Sequence, residues 1–226
     1  IPLIFEQEGL PAILHKKLNI YSPPDMTRWR KWIDNLRRPA KEITVAMCGK
    51  YTKLEDSYAS IVESFNHCAA HLGVRINLKW VETTDLKDTA FLDDVNGVVV
   101  PGGFGSRGTE GKIEVIRAAR ERNIPFLGLC LGLQLAVIEF ARNACGLQGA
   151  NSTEFAPDTP HPVIDILPEQ RSVVNKGGTM RLGAYEAVLK QGSVVDSLYQ
   201  TTEVSERHRH RYEVNPQYHQ ALTEKG

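Results

Sequence analysis

Cys130 stands in "FLGLCLGLQLAVIEFARN", residues 126–143, with one glycine two positions before it and another two positions after it. A thiol attacks as its thiolate, and the partial positive charge of a helix N-terminus favours that form. A turn that runs a strand straight into a helix lifts its side chain above the carboxyl edge of the sheet, where ligands bind in open α/β folds. The backbone of such an elbow is crowded, so the residues two places away must be small, and Gly128 and Gly132 occupy those places. The competing reading is a small buried hydrophobe in a glycine-containing turn, which describes most intracellular cysteines. Cys48, Cys68 and Cys145 take that plainer reading, because they fall in a strand, a helix and a post-helix turn, and none has glycine on both sides.

A second stretch, "VPGGFGSRGTEGK" over residues 100–112, places glycines at the end of a neighbouring strand. Acyl transfer needs backbone N–H groups directed at a developing oxyanion, and glycine lets the main chain approach a substrate with no Cβ in the way. Gly102 and Gly103 suit that task. A phosphate-binding loop is the rival, but the GxxxxGK[ST] spacing is absent. The rest of the loop is flexible enough to act as a lid. The run "RHRHR", residues 207–211, reads on its own as a solvated basic strand.

The elements that must hold these residues alternate along the chain. Strands are predicted over 42–51, 75–83, 96–105 and 124–130, and helices over 56–73, 110–123 and 131–143. The first of these helices is expected to start on an Asp56 cap and to end on Gly73. Short apolar strands alternating with helices imply βαβ crossovers, hence an α/β fold with a mainly parallel central sheet covered on both faces. Ahead of them, residues 25–38 form a basic helix with Trp29, Trp32 and Leu36 on one face, stopped by Pro39. Beyond residue 150 the rhythm loosens, and residues 177–190 look like antiparallel strand material.

With 27 basic and 27 acidic residues the formal net charge is zero, which offers no electrostatic case for nucleic acid or an anionic membrane. No apolar run reaches the ~18 residues of a membrane span, the N-terminus lacks the order of a signal peptide, and none of the four cysteines stands in a CxxC pair. A soluble cytoplasmic protein with no metal site is expected.

Taken together and in this order, "PGGFGSRGTEGK", "GLCLGLQLAVIEFARN", "NSTEF" and "SERHRHRYEVN" resemble the glutamine amidotransferase domain of the CTP synthase family. The resemblance implies a three-layer flavodoxin-like glutaminase fold over residues 41–226, preceded by residues 1–40 as the end of an amidoligase domain and a linker helix. It also implies roles. Cys130 would attack the side-chain amide of L-glutamine, giving a glutamyl thioester and ammonia. Gly103 and the amide of Leu131 would form the oxyanion hole, and Leu131, Gly132, Leu133 and Gln134 would line the substrate site. Glu154 would meet the α-ammonium of glutamine and Arg211 its α-carboxylate, a pairing that suits a guanidinium. Arg107 would lie near an effector and ammonia path, with GTP as activator. No cofactor is expected in this chain. ATP and Mg²⁺ would belong to the amidoligase domain, which receives the ammonia and aminates UTP, and the full-length family assembles as homotetramers.

One part of the family pattern is not met. The histidine base and its glutamate come from a His-Pro-Glu motif, and no such motif occurs among the seven histidines; only His161 precedes a proline. The expectation is that this segment belongs to chain outside the given sequence, and that the polypeptide as written hydrolyses glutamine poorly. Two rival functions follow: another cysteine-nucleophile hydrolase of the same fold, or a non-catalytic module that binds glutamine or GTP and regulates a partner.

Overall fold

Five consecutive buried residues, Val45 to Gly49, end the strand β1 (Lys41–Gly49), as expected of a strand covered on both faces. The computed structural model describes residues 1–50, 52, 55–166, 183–208 and 210–226. β2 (Val74–Glu82) lies parallel to β1 along its whole length, with Lys41 opposite Val74 and Gly49 opposite Glu82. On the other side β3 (Gly97–Val100) pairs parallel with β1, and β4 (Phe126–Gly128) pairs parallel with β3. The order β2-β1-β3-β4 means that the chain leaves β1 for one side and returns to the other. The strand order therefore reverses between β1 and β3, and in open α/β sheets the crevice at the carboxyl ends of such a pair is where ligands bind.

Strand alternation divides the core in two. Ala46, Cys48, Val98 and Val100 point to one face, with Ile113, Ile116, Leu135 and Ile138 of the helices α5 (Thr109–Glu121) and α6 (Leu131–Asn143). Val45, Met47 and Val99 point to the other, with Ile61 and Phe65 of α4 (Ala59–Leu72). The result is helix, sheet and helix layers. α5 and α6 are also joined by an ion pair: the partly exposed Arg120 donates to the 1% exposed Glu139 at 2.8 and 3.0 Å.

The predicted aspartate cap does not form. Glu55–Tyr58 make a 3-10 turn instead, and α4 begins at Ala59, with Tyr58 as an N-cap that offers no side-chain hydrogen bond. Gly73 does end it in the left-handed conformation, φ 67°, with its N–H bonded to the Ala69 carbonyl at 2.9 Å.

The expected helix over 25–38 is α3 (Thr27–Arg37), and two shorter helices precede it, α1 (Pro2–Gln7) and α2 (Leu10–Leu18). Both carry a proline in their first turn, where its missing N–H costs nothing. Trp29 and Trp32 stack edge to face at 5.3 Å, and together with Leu36 they line a groove against α4. Asn35 fastens α3 to that helix by donating to the Ala70 carbonyl at 2.8 Å.

After α6 the chain forms smaller sheets. β5 (Asn151–Ser152), β6 (Pro162–Ile166) and β9 (Tyr212–Val214) make one of three strands. β7 (Gly183–Val188) and β8 (Glu203–His208) form an antiparallel pair, with Gly183 opposite His208. β7 meets the antiparallel expectation for residues 183–188, whereas residues 177–182 lie outside the described residues. α7 (Val194–Tyr199) joins β7 to β8, and α8 (His219–Thr223) follows β9.

Candidate active site

Cys130 follows β4 and is the N-cap of α6, with φ 55° and ψ −109°. A residue with a Cβ is held in such a conformation only where its surroundings over-determine it. Here they do. Leu129 N–H is bonded to the Val100 carbonyl at 2.9 Å, fixing the end of the strand, and the Cys130 carbonyl accepts from Leu133 and Gln134 at 3.1 and 3.2 Å, fixing the start of the helix. Both flanking glycines are required. A Cβ on Gly128 would stand 2.6 Å from the Gly132 carbonyl carbon, and one on Gly132 would stand 2.0 Å from the Val100 carbonyl oxygen.

The glycine loop after β3 closes on the same point. A Cβ on Gly102 would lie 3.2 Å from the Cβ of Cys130 and 3.7 Å from its sulfur. A Cβ on Gly103 would lie 3.7 Å from the Leu131 side chain and 3.8 Å from both the Lys112 Nζ and the Lys50 Cε. The loop beyond is open: Phe104 is 78% exposed, and Gly105 and Gly108 both adopt φ 75°. Lys50 reaches across from the end of β1 and donates to the Phe104 carbonyl.

Cys130 borders two cavities. One, of about 360 Å³, is also lined by Leu133, Gln134, His208, His210 and Tyr212. The other, of about 650 Å³, is lined by Lys50, Tyr58, Pro101, Gly102 and Gly103. Gln134 is buried and donates its amide to the Tyr212 carbonyl at 2.8 Å, which ties α6 to β9 across the first cavity. Leu133 is half exposed and faces that cavity, while Leu131 and Gly132 are buried beneath it.

Charges gather around the thiol. Partial burial raises the Glu154 carboxyl above its ordinary pKa and the Arg211 guanidinium pulls it back, so these two residues sense each other. Among the described residues the buried Nε of Arg211 has no hydrogen-bond partner. Arg107 is exposed on the loop ahead of α5 rather than in the wall of either cavity. His208, His210 and Glu213 place one potential ligand atom each within 4.8 Å of one another.

The thiol itself departs from expectation. Although the residue opens to solvent, the corner between Gly102 and α6 desolvates the sulfur and raises its pKa, and Glu154 adds to the rise. The Leu131 N–H and Lys112 act in the opposite sense. The helix N-terminus thus contributes as foreseen, through the amide of Leu131, but burial outweighs it.

Lys50 and Lys112 were not identified from the sequence. Lys112 carried a signal nonetheless: it falls three residues after Thr109 and four before Ile116 on the buried stripe of α5, a position where lysine is out of place. Lys50 carried none.

The family model for class-I glutamine amidotransferases matches residues 53–225 of the chain. The chain is 51% identical over 236 residues to a CTP synthase of Methanococcus maripaludis, and 48% identical over 229 residues to one of Pyrococcus furiosus. Both alignments cover 100% of this chain but only 44% and 43% of those relatives, so it spans less than half their length. Among solved structures, the glutaminase domain of Trypanosoma brucei CTPS with bound acivicin superposes with a TM-score of 0.75 at 39% identity. That match covers 81% of this chain and 72% of the other.

Proposed function

Because the chain belongs to the class-I glutamine amidotransferase family, in its CTP synthase branch, we propose that Cys130 releases ammonia from L-glutamine here. The sulfur bonds to the carboxamide carbon, the C–N bond breaks, and the nitrogen leaves as ammonia, carrying the proton that the thiol gave up. Water then cleaves the thioester to glutamate and regenerates the thiol. The observation that carries this reading is the positive-φ elbow at Cys130, pressed to 3.2 Å against the Cβ position of Gly102. Strain of this kind at a strand-to-helix elbow is how a nucleophile is held out toward substrate.

The other roles follow from where charge must go. Leu131 N–H and Gly103 stabilise the oxyanion, a contribution typically worth ~10²–10³ in rate for each donor. Leu133, Gln134 and the buried floor of Leu131 and Gly132 shape the pocket for the glutamine side chain. Glu154 takes the α-ammonium and Arg211 the α-carboxylate, consistent with the mutual influence of that pair. Arg107, on the exposed loop, is assigned to the GTP effector side. The proton acceptor is assigned to none of the seven histidines, since none stands in the His-Pro-Glu setting of the family.

In the whole protein the ammonia passes to an amidoligase domain that uses ATP and Mg²⁺ to convert UTP to CTP, in a cytoplasmic homotetramer. Residues 1–40 are the end of that domain and its linker. ATP is assigned to the amidoligase domain and not to the glycine loop of this chain, which lacks the phosphate-loop spacing.

Treatment with acivicin, an electrophilic glutamine analogue, followed by peptide mapping tests the reading. The expected result is one adduct, at Cys130, blocked by excess L-glutamine and absent in Cys130→Ala. Equal labelling of Cys68 and Cys145 with no protection would overturn it. Unchanged regulation of a partner by Cys130→Ala would favour a glutamine-binding module instead.

A further inference from the structure

Lys112 is 1% exposed and is the largest of the fully buried side chains. It sits in the second turn of α5, and its neighbour Gly111 seats that turn against the end of β2, where a Cβ would stand 2.1 Å from the Thr83 carbonyl oxygen. This close seating brings the Lys112 Nζ to 3.8 Å from the Cβ position of Gly103, on the loop facing Cys130. From the other side the Lys50 stem reaches the same point at 3.8 Å, and its Nζ is bonded to the next carbonyl, that of Phe104. The turn of the glycine loop is therefore clasped between two cations. Burying an ammonium is costly, and a fold keeps one where its charge is used.

We propose that Lys112, with Lys50 opposite it, is a positioning residue of the Cys130 site: it holds the Gly103 turn in place and sets a positive charge behind the point where negative charge gathers, first on sulfur and then on the oxyanion. The inference rests on reading Cys130 as the nucleophile. It gives the lysine of "EGK" a role that the phosphate-loop comparison left empty.

The surrounding charges set the pH range in which this device works. Lys112 is faced by Cys48 of β1, by Glu82 at the end of β2, by Lys50 and by Cys130. Burial and then Lys50 lower its pKa to about 8, against the opposing influence of Cys48, Glu82 and Cys130. The positive charge is thus in place below about pH 8 and is lost above it. On Cys130 it acts with the Leu131 N–H and against burial and Glu154.

The test measures alkylation of each cysteine by iodoacetamide between about pH 6 and pH 10, resolved by peptide mapping, in the native chain, Lys112→Met and Lys112→Arg. Methionine keeps the stem and removes the charge; arginine keeps the charge. In Lys112→Met the Cys130 rate below pH 8 is expected to fall about tenfold, equivalent to one pKa unit on the thiol. Lys112→Arg should restore most of it, and exposed Cys68 should react equally in all three. Identical Cys130 profiles in the native chain and Lys112→Met would overturn the proposal. So would a parallel loss in Lys112→Arg and Lys112→Met, which marks a packing role without charge. If Lys112→Met fails to fold, Lys50→Met is measured in the same way, with the same expected direction and the same overturning result. Iodoacetamide does not need the glutamine pocket. A Lys112 effect without protection of Cys130 by glutamine would therefore sink the glutaminase reading and leave this one standing.

Discussion

At the scale of single residues, the site is built by what backbone crowding permits. Cys130 keeps a Cβ at φ 55°, ψ −109°, a conformation that costs a non-glycine residue about 1–3 kcal/mol. Cys130→Ala removes the thiol but retains that strain. Cys130→Gly removes both, and its greater freedom in the unfolded chain returns part of the gain. Cys130→Gly is therefore expected to be more stable than Cys130→Ala by about 1 kcal/mol, measured by urea unfolding. Equal stability would show that the elbow is unstrained. The strain could not be read from composition, but its location could: "GLCLG" allows one tight turn with room on either side, and Gly128 and Gly132 are the residues on which a Cβ would meet backbone at 2.6 and 2.0 Å.

At the scale of elements, β3, β4 and α6 meet at Gly132, whose Cα approaches the last carbonyl of β3. Gly132→Ala would push a methyl group into the Val100 carbonyl oxygen, a backbone atom that cannot turn aside. We expect a loss of about 3 kcal/mol, at the upper end of overpacking costs, together with slower acivicin labelling of Cys130 as α6 moves away from β3. Gly105→Ala, on the open loop with nothing within 4 Å, should cost about 1 kcal/mol through its positive φ alone and leave labelling unchanged. The same elements mark how far sequence could be followed. The parallel strands were legible because runs such as "TVAMC" are apolar on both faces, and α6 because its apolar residues recur at helical spacing. The Asp56 cap was not, because Tyr58 settles against Lys50 and Trp80 and the chain turns as a 3-10 segment before α4 starts. Propensity names a possible cap, and tertiary contact decided where the helix began. The Glu139–Arg120 pair was hidden for a related reason: a glutamate on a predicted helix gives no sign of which residue of α5 will face it.

At the scale of the whole molecule, the reversal of strand order between β1 and β3 gathers distant positions into one crevice: Lys50 after β1, the glycine loop after β3 and Cys130 after β4. Sequence order foretold the last two, because each follows its own strand directly. It could not foretell that Lys112, on the buried face of α5, would reach under the loop, since that depends on the tight seating of Gly111 on β2. The same arrangement shapes the pH dependence of global stability. Lys112 has a pKa of about 8 when folded against 10.5 ordinarily, so between these values the unfolded chain binds more protons and stability rises with pH. Cys48 is pushed the other way, from 9.0 to about 12 by burial, so between those values the folded chain binds more protons and stability falls. From these two groups, stability is expected to climb by about 1 kcal/mol from pH 8 to pH 9, to level off while the two oppose each other, and to decline above about pH 10.5. Urea unfolding at pH 7.5, 9 and 11 reads the curve. Lys112→Met should lose the climb and keep the decline, and Cys48→Ala should keep the climb and lose most of the decline. A native curve that falls steadily from pH 7.5 upward would mean that folding does not lower the Lys112 pKa, so that its ammonium stays solvated or paired instead of being desolvated in the core.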